Sequence, residues 1–271
     1  MMSSNRNMGL GNGLKLAMSM MSRDLRNRYA TSYAGLFWHL AVPLINALVF
    51  VVVFSVLMRG QMGDRYGDVP FALFYFAPFS LWMFFQEVVA RSTGVLREHA
   101  FLINKIAFPS WILPLVPLGA AFLGQFIVLL VVAGLMLANG VSPGLSGVAI
   151  FFLLWLATVV FAVGVAYLVG ALSAYVPDLE QVVPITLNIT FWLTPILYPA
   201  TLVMNEAPQW VKTLILHLNP FTHMAESVRF ALFGRPVEWN SVAIYCGVAV
   251  LALAIGVPVF RRLNRGFADV L

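Results

Sequence analysis

Long apolar runs decide what this chain can fold into. Leu36–Met58, Pro70–Val89, Ser110–Leu137, Gly147–Leu172, Val182–Tyr198 and Ser241–Phe260 are each about the length of a bilayer-crossing helix, roughly 20 residues. Charge supports the same solvent. Only 10% of the 271 residues are charged and 61% are hydrophobic, whereas a water-facing surface needs roughly a quarter charged. The expected fold is therefore all-α and polytopic, one transmembrane domain over 1–271 with six spans (36–58, 70–89, 110–137, 147–172, 182–198, 241–260).

The segments between the runs complete the plan. The first 12 residues are polar and expected to be loose, with no signal-peptide pattern. Residues 13–29 read as an amphipathic interface helix. Leu14, Ala17, Met18, Met21, Leu25 and Tyr29 take one side, and Lys15, Ser19, Ser22, Arg23 and Arg26 the other. Residues 59–69 form a polar loop, 91–108 a mixed charged segment, 139–146 a tight turn and 173–181 a short loop. The segment 199–240 holds two short helices, 209–217 and 221–233, parted by Asn219-Pro220. They re-enter the bundle or lie on its outer face, since neither is long enough to span.

Six spans place both termini on one side. With that side cytoplasmic, the basic residues inside are Arg6, Lys15, Arg23, Arg26, Arg28, Arg91, Arg97, Lys105, Arg261, Arg262 and Arg265, eleven in all. Outside are five, Arg59, Arg65, Lys212, Arg229 and Arg235, as the positive-inside rule requires. This predicts a multi-pass protein of the cytoplasmic membrane with both termini cytoplasmic. The net charge of +5 suits anionic lipid, and no dense basic patch points to nucleic acid.

Catalytic and cofactor motifs are missing. There is no Gly-Lys dipeptide and hence no phosphate-binding loop, no HExxH, no GxSxG and no metal-spaced His/Cys cluster. Cys246 is a single thiol inside an apolar run. Glu87, near the cytoplasmic end of the second run, is expected to snorkel or pair with Arg91 four residues on. Neither a catalyst nor an ion-coupling relay is visible, so the energy source is expected in another chain.

Residues 23–44, RDLRNRYATSYAGLFWHLAVPL, resemble the entrance of type-two ABC exporter permeases, nearest to those that export O-antigen and teichoic-acid-like polysaccharides. The resemblance continues at 95–109 (VLREHAFLINKIAFP), Leu113-Pro114, 175–199 (YVPDLEQVVPITLNITFWLTPILYP), 218–220 (LNP) and the pair Glu226 and Arg229. Pro177 stands where the family often has a basic residue. The resemblance implies a homodimer, two cytoplasmic ATPase subunits that hold ATP and Mg, no cofactor in this chain, and a lipid-linked glycan as cargo.

Several groups are candidates for these roles, each beside a plainer reading. His39, Asn46, Phe50 and Phe54 of the first span, and Asn188, Phe191, Trp192 and Tyr198 of the fifth, are candidates for the substrate path. Aromatic faces stack on sugar rings, while interhelical hydrogen bonds and an interfacial aromatic belt are the alternatives. Arg23, Arg26, Arg28 and Tyr29 are candidates for a lipid-diphosphate headgroup, or for plain anionic-lipid attraction. Arg97, Glu98 and His99, flanked by Leu96, Phe101 and Leu102, and the acids Asp178 and Glu180, are candidates for coupling to the ATPase. Ala162, Ala166, Gly170 and Ala174 recur every four residues as a packing stripe. Two other functions stay open: an ABC permease for a drug or small lipid, and an intramembrane enzyme acting on lipid-linked sugar.

Overall fold

The computed structural model describes residues 10–30, 37, 41, 45, 48–49, 52–53, 66, 69–105 and 108–271, with side chains except at 10–12, 14, 27–30 and 105. The described residues are helical throughout apart from short turns. The helices are α1 (Leu10–Ala30), α2 (Phe71–Ser92), α3 (Val95–Glu98), α4 (Ala100–Lys105), α5 (Leu118–Ala138) after a 3-10 turn at Ser110–Leu115, α6 (Leu145–Tyr175), α7 (Leu179–Leu193), α8 (Ala200–Glu206), α9 (Gln209–Lys212) running into a π turn at Thr213–Leu218, α10 (Pro220–Leu232), α11 (Trp239–Leu263) and α12 (Phe267–Val270).

Among the described residues, four helical stretches are long and apolar enough to cross a bilayer: Phe71–Ser92, Ser110–Ala138, Leu145–Tyr175 and Trp239–Val270. Most of the first expected span, 36–58, lies outside the described residues. Phe37, Ala41, Ile45, Leu48, Val49, Val52 and Val53 within it are helical.

The fifth differs from expectation. Its helix has 15 residues, about 22 Å at 1.5 Å per residue, and stops at Leu193 rather than Tyr198. The cause is Pro195, which pushes Thr194 out of the α region, to φ −91° and ψ 132°. Ile196 and Leu197 are buried in the turn that follows, so the apolar run continues while the helix does not. The other boundaries move by a few residues. In particular α6 continues to Tyr175, so the loop expected at 173–181 shrinks to Val176–Asp178.

Packing centres on α6 and α11, which share the most extensive contact, with α2 against α5 and α6. Glycine permits the closest approach: a Cβ on Gly256 would stand 2.0 Å from the Gly164 carbonyl oxygen, and one on Gly164 would stand 2.4 Å from the Leu253 nitrogen. Ala162, Ala166, Gly170 and Ala174 are all buried, and a Cβ on Gly170 would lie 3.1 Å from the Ser92 carbonyl oxygen. The stripe is therefore a packing surface.

α10 is not a surface helix, because every residue from Phe221 to Leu232 is buried. Phe221 sits 4.7 Å, ring centre to ring centre, from both Trp82 and Phe85. Both lie about three turns or more from the start of α2, so the segment re-enters the bundle. The ends of a re-entrant helix must find partners within the protein. Asn219 accepts from the Phe221 amide at 3.0 Å, with Pro220 at the first helical position. Thr222 donates to the Ile215 carbonyl at 2.6 Å, and His223 Nε2 lies 3.3 Å from the His217 carbonyl. Side chains of α10 thus satisfy carbonyls of the π turn before it. A third short helix, α8, was not foreseen in 199–240.

α1 begins at Leu10, inside the stretch expected to be loose. Its apolar side faces protein. Ala17 is buried, and a Cβ on Gly119 would meet the Met21 side chain at 2.8 Å. Met18, on the same side by periodicity, is exposed instead.

Candidate translocation face and coupling segment

α7 starts after Val176-Pro177-Asp178 and carries one fully buried residue, Leu187. Asn188 and Trp192, four residues apart, share an exposed face with Ile185. Phe191 is turned away from it. It is half-buried, 6.3 Å from the Phe79 ring and 5.9 Å from Trp82. Of the fifth-span candidates, then, Asn188 and Trp192 stand together and Phe191 belongs to the aromatic core of α2. The hydroxyls of Thr186 and Thr190 bond back to the carbonyls of Val182 and Thr186, at 2.9 and 2.8 Å. Tyr198, half-buried in the turn, donates to the Trp192 carbonyl at 3.2 Å. His39, Asn46, Phe50 and Phe54 lie outside the described residues.

The far end of α7 is held by a buried polar network. Arg229, fully buried, donates from Nη1 to Glu226 Oε1 at 2.9 Å, from Nε to the Phe74 carbonyl at 3.1 Å, and from Nη2 to the Ile196 carbonyl at 2.8 Å. Its guanidinium carbon stands 3.5 Å over the Phe74 ring. The Phe74 carbonyl is available because Pro78, four residues on within α2, has no N–H to give it. Tyr66 donates to both Glu226 oxygens, at 3.0 and 2.9 Å, and accepts from the Ala200 amide at 3.1 Å. Burial first, and then the Glu226 carboxylate, raise the Tyr66 phenol above its ordinary pKa, so it remains a donor. Nearby, Asn219 Nδ2 donates to Thr194 Oγ1 at 2.9 Å. Sequence reasoning singled out Glu226 and Arg229 only through resemblance, and Tyr66 not at all. Pro78 inside an apolar helix was the available signal, since it leaves one buried carbonyl wanting a donor.

At the opposite, basic end the coupling candidates separate. Arg97 is turned inward: Nη1 donates to Glu180 Oε1 at 3.2 Å, and Nη2 to the Ser173 carbonyl at 2.6 Å. Ser173 Oγ in turn donates to the Thr93 carbonyl at 2.5 Å. Leu96 is fully buried in a cluster with Val95, Leu113, Tyr167, Phe260 and Phe267. It is therefore not an apolar contact for a partner, contrary to expectation. Phe101 is 62% exposed and Glu98 is exposed. His99 Nδ1 lies 2.9 Å from the Val95 carbonyl, and Asp178 is exposed in the loop. Arg91 meets Asp24 of α1 at 3.5 Å and Glu98 at 3.8 Å.

Arg23 and Arg26 are exposed on α1, while the side chains of Arg28 and Tyr29 lie outside the described set. A cavity of about 310 Å³ opens between the start of α6 and the end of α10, lined by Ser146, Ile150, Arg235 and Trp239 among others. No residue of α7 lines it, so it is separate from the Asn188–Trp192 face. Among the described residues no three His, Cys, Asp or Glu side chains gather as a metal site.

Known proteins are similar to this chain in sequence over nearly the whole length. The chain is 26% identical over 262 residues to an O-antigen export system permease protein of Klebsiella pneumoniae, covering 97% of each. It is 26% identical over 258 residues to another of that description from Myxococcus xanthus, covering 94% of each. It is 21% identical over 254 residues to the polysialic acid transport protein of Escherichia coli, covering 90% of this chain and 91% of the relative. Residues 15–233, from α1 to the end of the re-entrant segment, match the family model described as ABC-2 type transporter, and the chain belongs to that family.

Proposed function

We propose that this chain is the membrane-spanning subunit of an ATP-driven exporter that moves a lipid-linked, O-antigen-like polysaccharide across the cytoplasmic membrane. Two copies form the passage, and two cytoplasmic ATPase subunits supply the energy with ATP and Mg. The basic end faces the cytoplasm, as the bias of Arg and Lys supports. The observation that carries the reading is the end-to-end likeness to O-antigen permeases in a chain that has no phosphate-binding loop. The exposed Asn188–Trp192 face suits the cargo. A repetitive, hydrated polymer needs weak repeated contacts rather than fixed charges that trap each unit, and an aromatic face with an amide beside it offers them. Arg23, Arg26, Arg28 and Tyr29 meet the diphosphate headgroup at the entrance. Glu98, His99, Phe101 and Asp178 face the ATPase.

The test is reconstitution with the ATPase subunit in lipid vesicles. The expected result is no ATP hydrolysis by the lone chain, and ATP-dependent translocation of a labelled lipid-linked glycan by the complex. Hydrolysis by the purified chain alone would overturn the reading. So would a deletion strain that keeps its surface polysaccharide and loses drug or small-lipid export.

A further inference from the structure

We infer that Arg97 is the internal link through which the coupling segment moves α7, and that it is not a docking residue for the partner. The inference rests on the exporter reading above and concerns how force passes inside the chain.

Three observations converge on Arg97. Its two terminal nitrogens are both engaged within the chain, one on the Ser173 carbonyl in the last turn of α6 and one on Glu180 in the first turn of α7. The segment that carries it is fixed to α6 by the buried Ser173–Thr93 bond and by Val95 and Leu96 in the core. Segment 93–98 and the end of α6 therefore move as one body. α7 begins just beyond three exposed residues, Val176, Pro177 and Asp178, and fully buries a single side chain, Leu187. It is the loosest long helix among those described, and Arg97 holds its near end.

The far end is anchored differently. Thr194 is bonded by Asn219, and Ile196 by the fully buried Arg229. A near end on a half-exposed ion pair and a far end in a buried network make a lever with its pivot at Thr194. At 1.5 Å per residue Glu180 lies about 21 Å from that pivot and Asn188 about 9 Å. A displacement of Glu180 therefore reaches Asn188 at roughly two-fifths of its size and Trp192 at about one-seventh. Among the described residues of the coupling segment, Glu98, Phe101 and Asn104 are exposed. Contact with the partner and transmission to α7 thus fall to different residues of one short segment.

The experiment compares Arg97→Glu, Glu180→Arg and the double reversal in the full complex reconstituted in vesicles. Co-purification of the ATPase, ATP hydrolysis and translocation of a labelled lipid-linked glycan are measured together. Each single reversal should keep assembly and lower glycan moved per ATP by about fivefold or more, and the double reversal should recover at least half of the loss. Glu180→Gln, which keeps helix and shape, should lower the same ratio and remove its sensitivity to added salt. Unchanged glycan per ATP in the single reversals would overturn the inference. So would loss of ATPase binding in Arg97→Glu that the double reversal does not restore, since that places Arg97 at the partner surface. A wild-type complex that hydrolyses ATP and moves no glycan overturns the exporter reading itself, and a normal wild type beside unaffected variants overturns the link alone.

Discussion

Replacing Arg229 by Met removes a charge from the middle of the protein, and its cost can be worked from the contacts. The guanidinium and Glu226 are 2.9 Å apart and Arg229 is 0% exposed. At that distance and an effective dielectric of about 20, their attraction is about 6 kcal/mol, set against a desolvation cost of several kcal/mol for each ion. Removing one partner leaves that cost without its compensation, which amounts to about 3–5 kcal/mol. Glu226→Gln, which leaves the buried Arg229 charge, costs a similar amount. Tyr66→Phe removes a donor from both Glu226 oxygens and an acceptor from the Ala200 amide, costing about 1–3 kcal/mol. The double replacement Glu226→Leu with Arg229→Met costs less than either charged single, because no unpaired ion remains. Pro78 adds a further check. In Pro78→Ala the new amide can take the Phe74 carbonyl, so Arg229→Met costs about 1 kcal/mol less in that background. The assay is unfolding of the purified chain in mild-detergent micelles titrated with sodium dodecyl sulfate, followed by tryptophan fluorescence. Arg229→Met within 1 kcal/mol of wild type, or a double replacement worse than both singles, would refute the claim that the ion pair holds this end together.

Trp192→Ala should leave assembly with the ATPase intact and slow long-polymer export by about threefold, one lost stacking contact of about 0.7 kcal/mol; normal export rates measured by polymer length on the cell surface would exclude the aromatic face. Gly256→Val should destabilise the chain by about 1–3 kcal/mol or prevent folding, because its Cβ would stand 2.0 Å from the Gly164 carbonyl oxygen; wild-type melting of that variant in detergent would show that α6 and α11 separate without cost.

What could be read from the sequence depended on whether the information was local. Ala162, Ala166, Gly170 and Ala174 sit on one helical stripe, and a stripe of small residues in a span needs a neighbouring helix, so their burial followed from spacing alone. Phe191 and Trp192 are adjacent, and a helix turns 100° between them. Which of the two points inward was decided by Phe79 and Trp82 on α2, over a hundred residues away, and periodicity in a nearly uniform apolar run has no polar face to orient it. Leu96 looked available to a partner because its neighbours are charged, but the cluster that buries it comes from α6, α11, α12 and the 3-10 turn.

Two arginines buried or half-buried in so apolar a chain follow one physical rule. Within a bundle surrounded by lipid, a backbone carbonyl freed by proline or by a turn has no water to turn to. Pro78 frees the Phe74 carbonyl, the turn after α7 frees that of Ile196, and the last turn of α6 frees that of Ser173. Each is met by an arginine, Arg229 for the first two and Arg97 for the third. Each of these arginines also meets a carboxylate, Glu226 or Glu180. Both were counted in the sequence as side markers of the membrane, yet both are committed to backbone inside the chain, at the two ends of the long helix that buries least among those described. A helix held by its ends and exposed at Asn188 and Trp192 can shift at one end while its packing on α2 and α6 changes little, which is what the proposed passage, driven from one side of the membrane, requires.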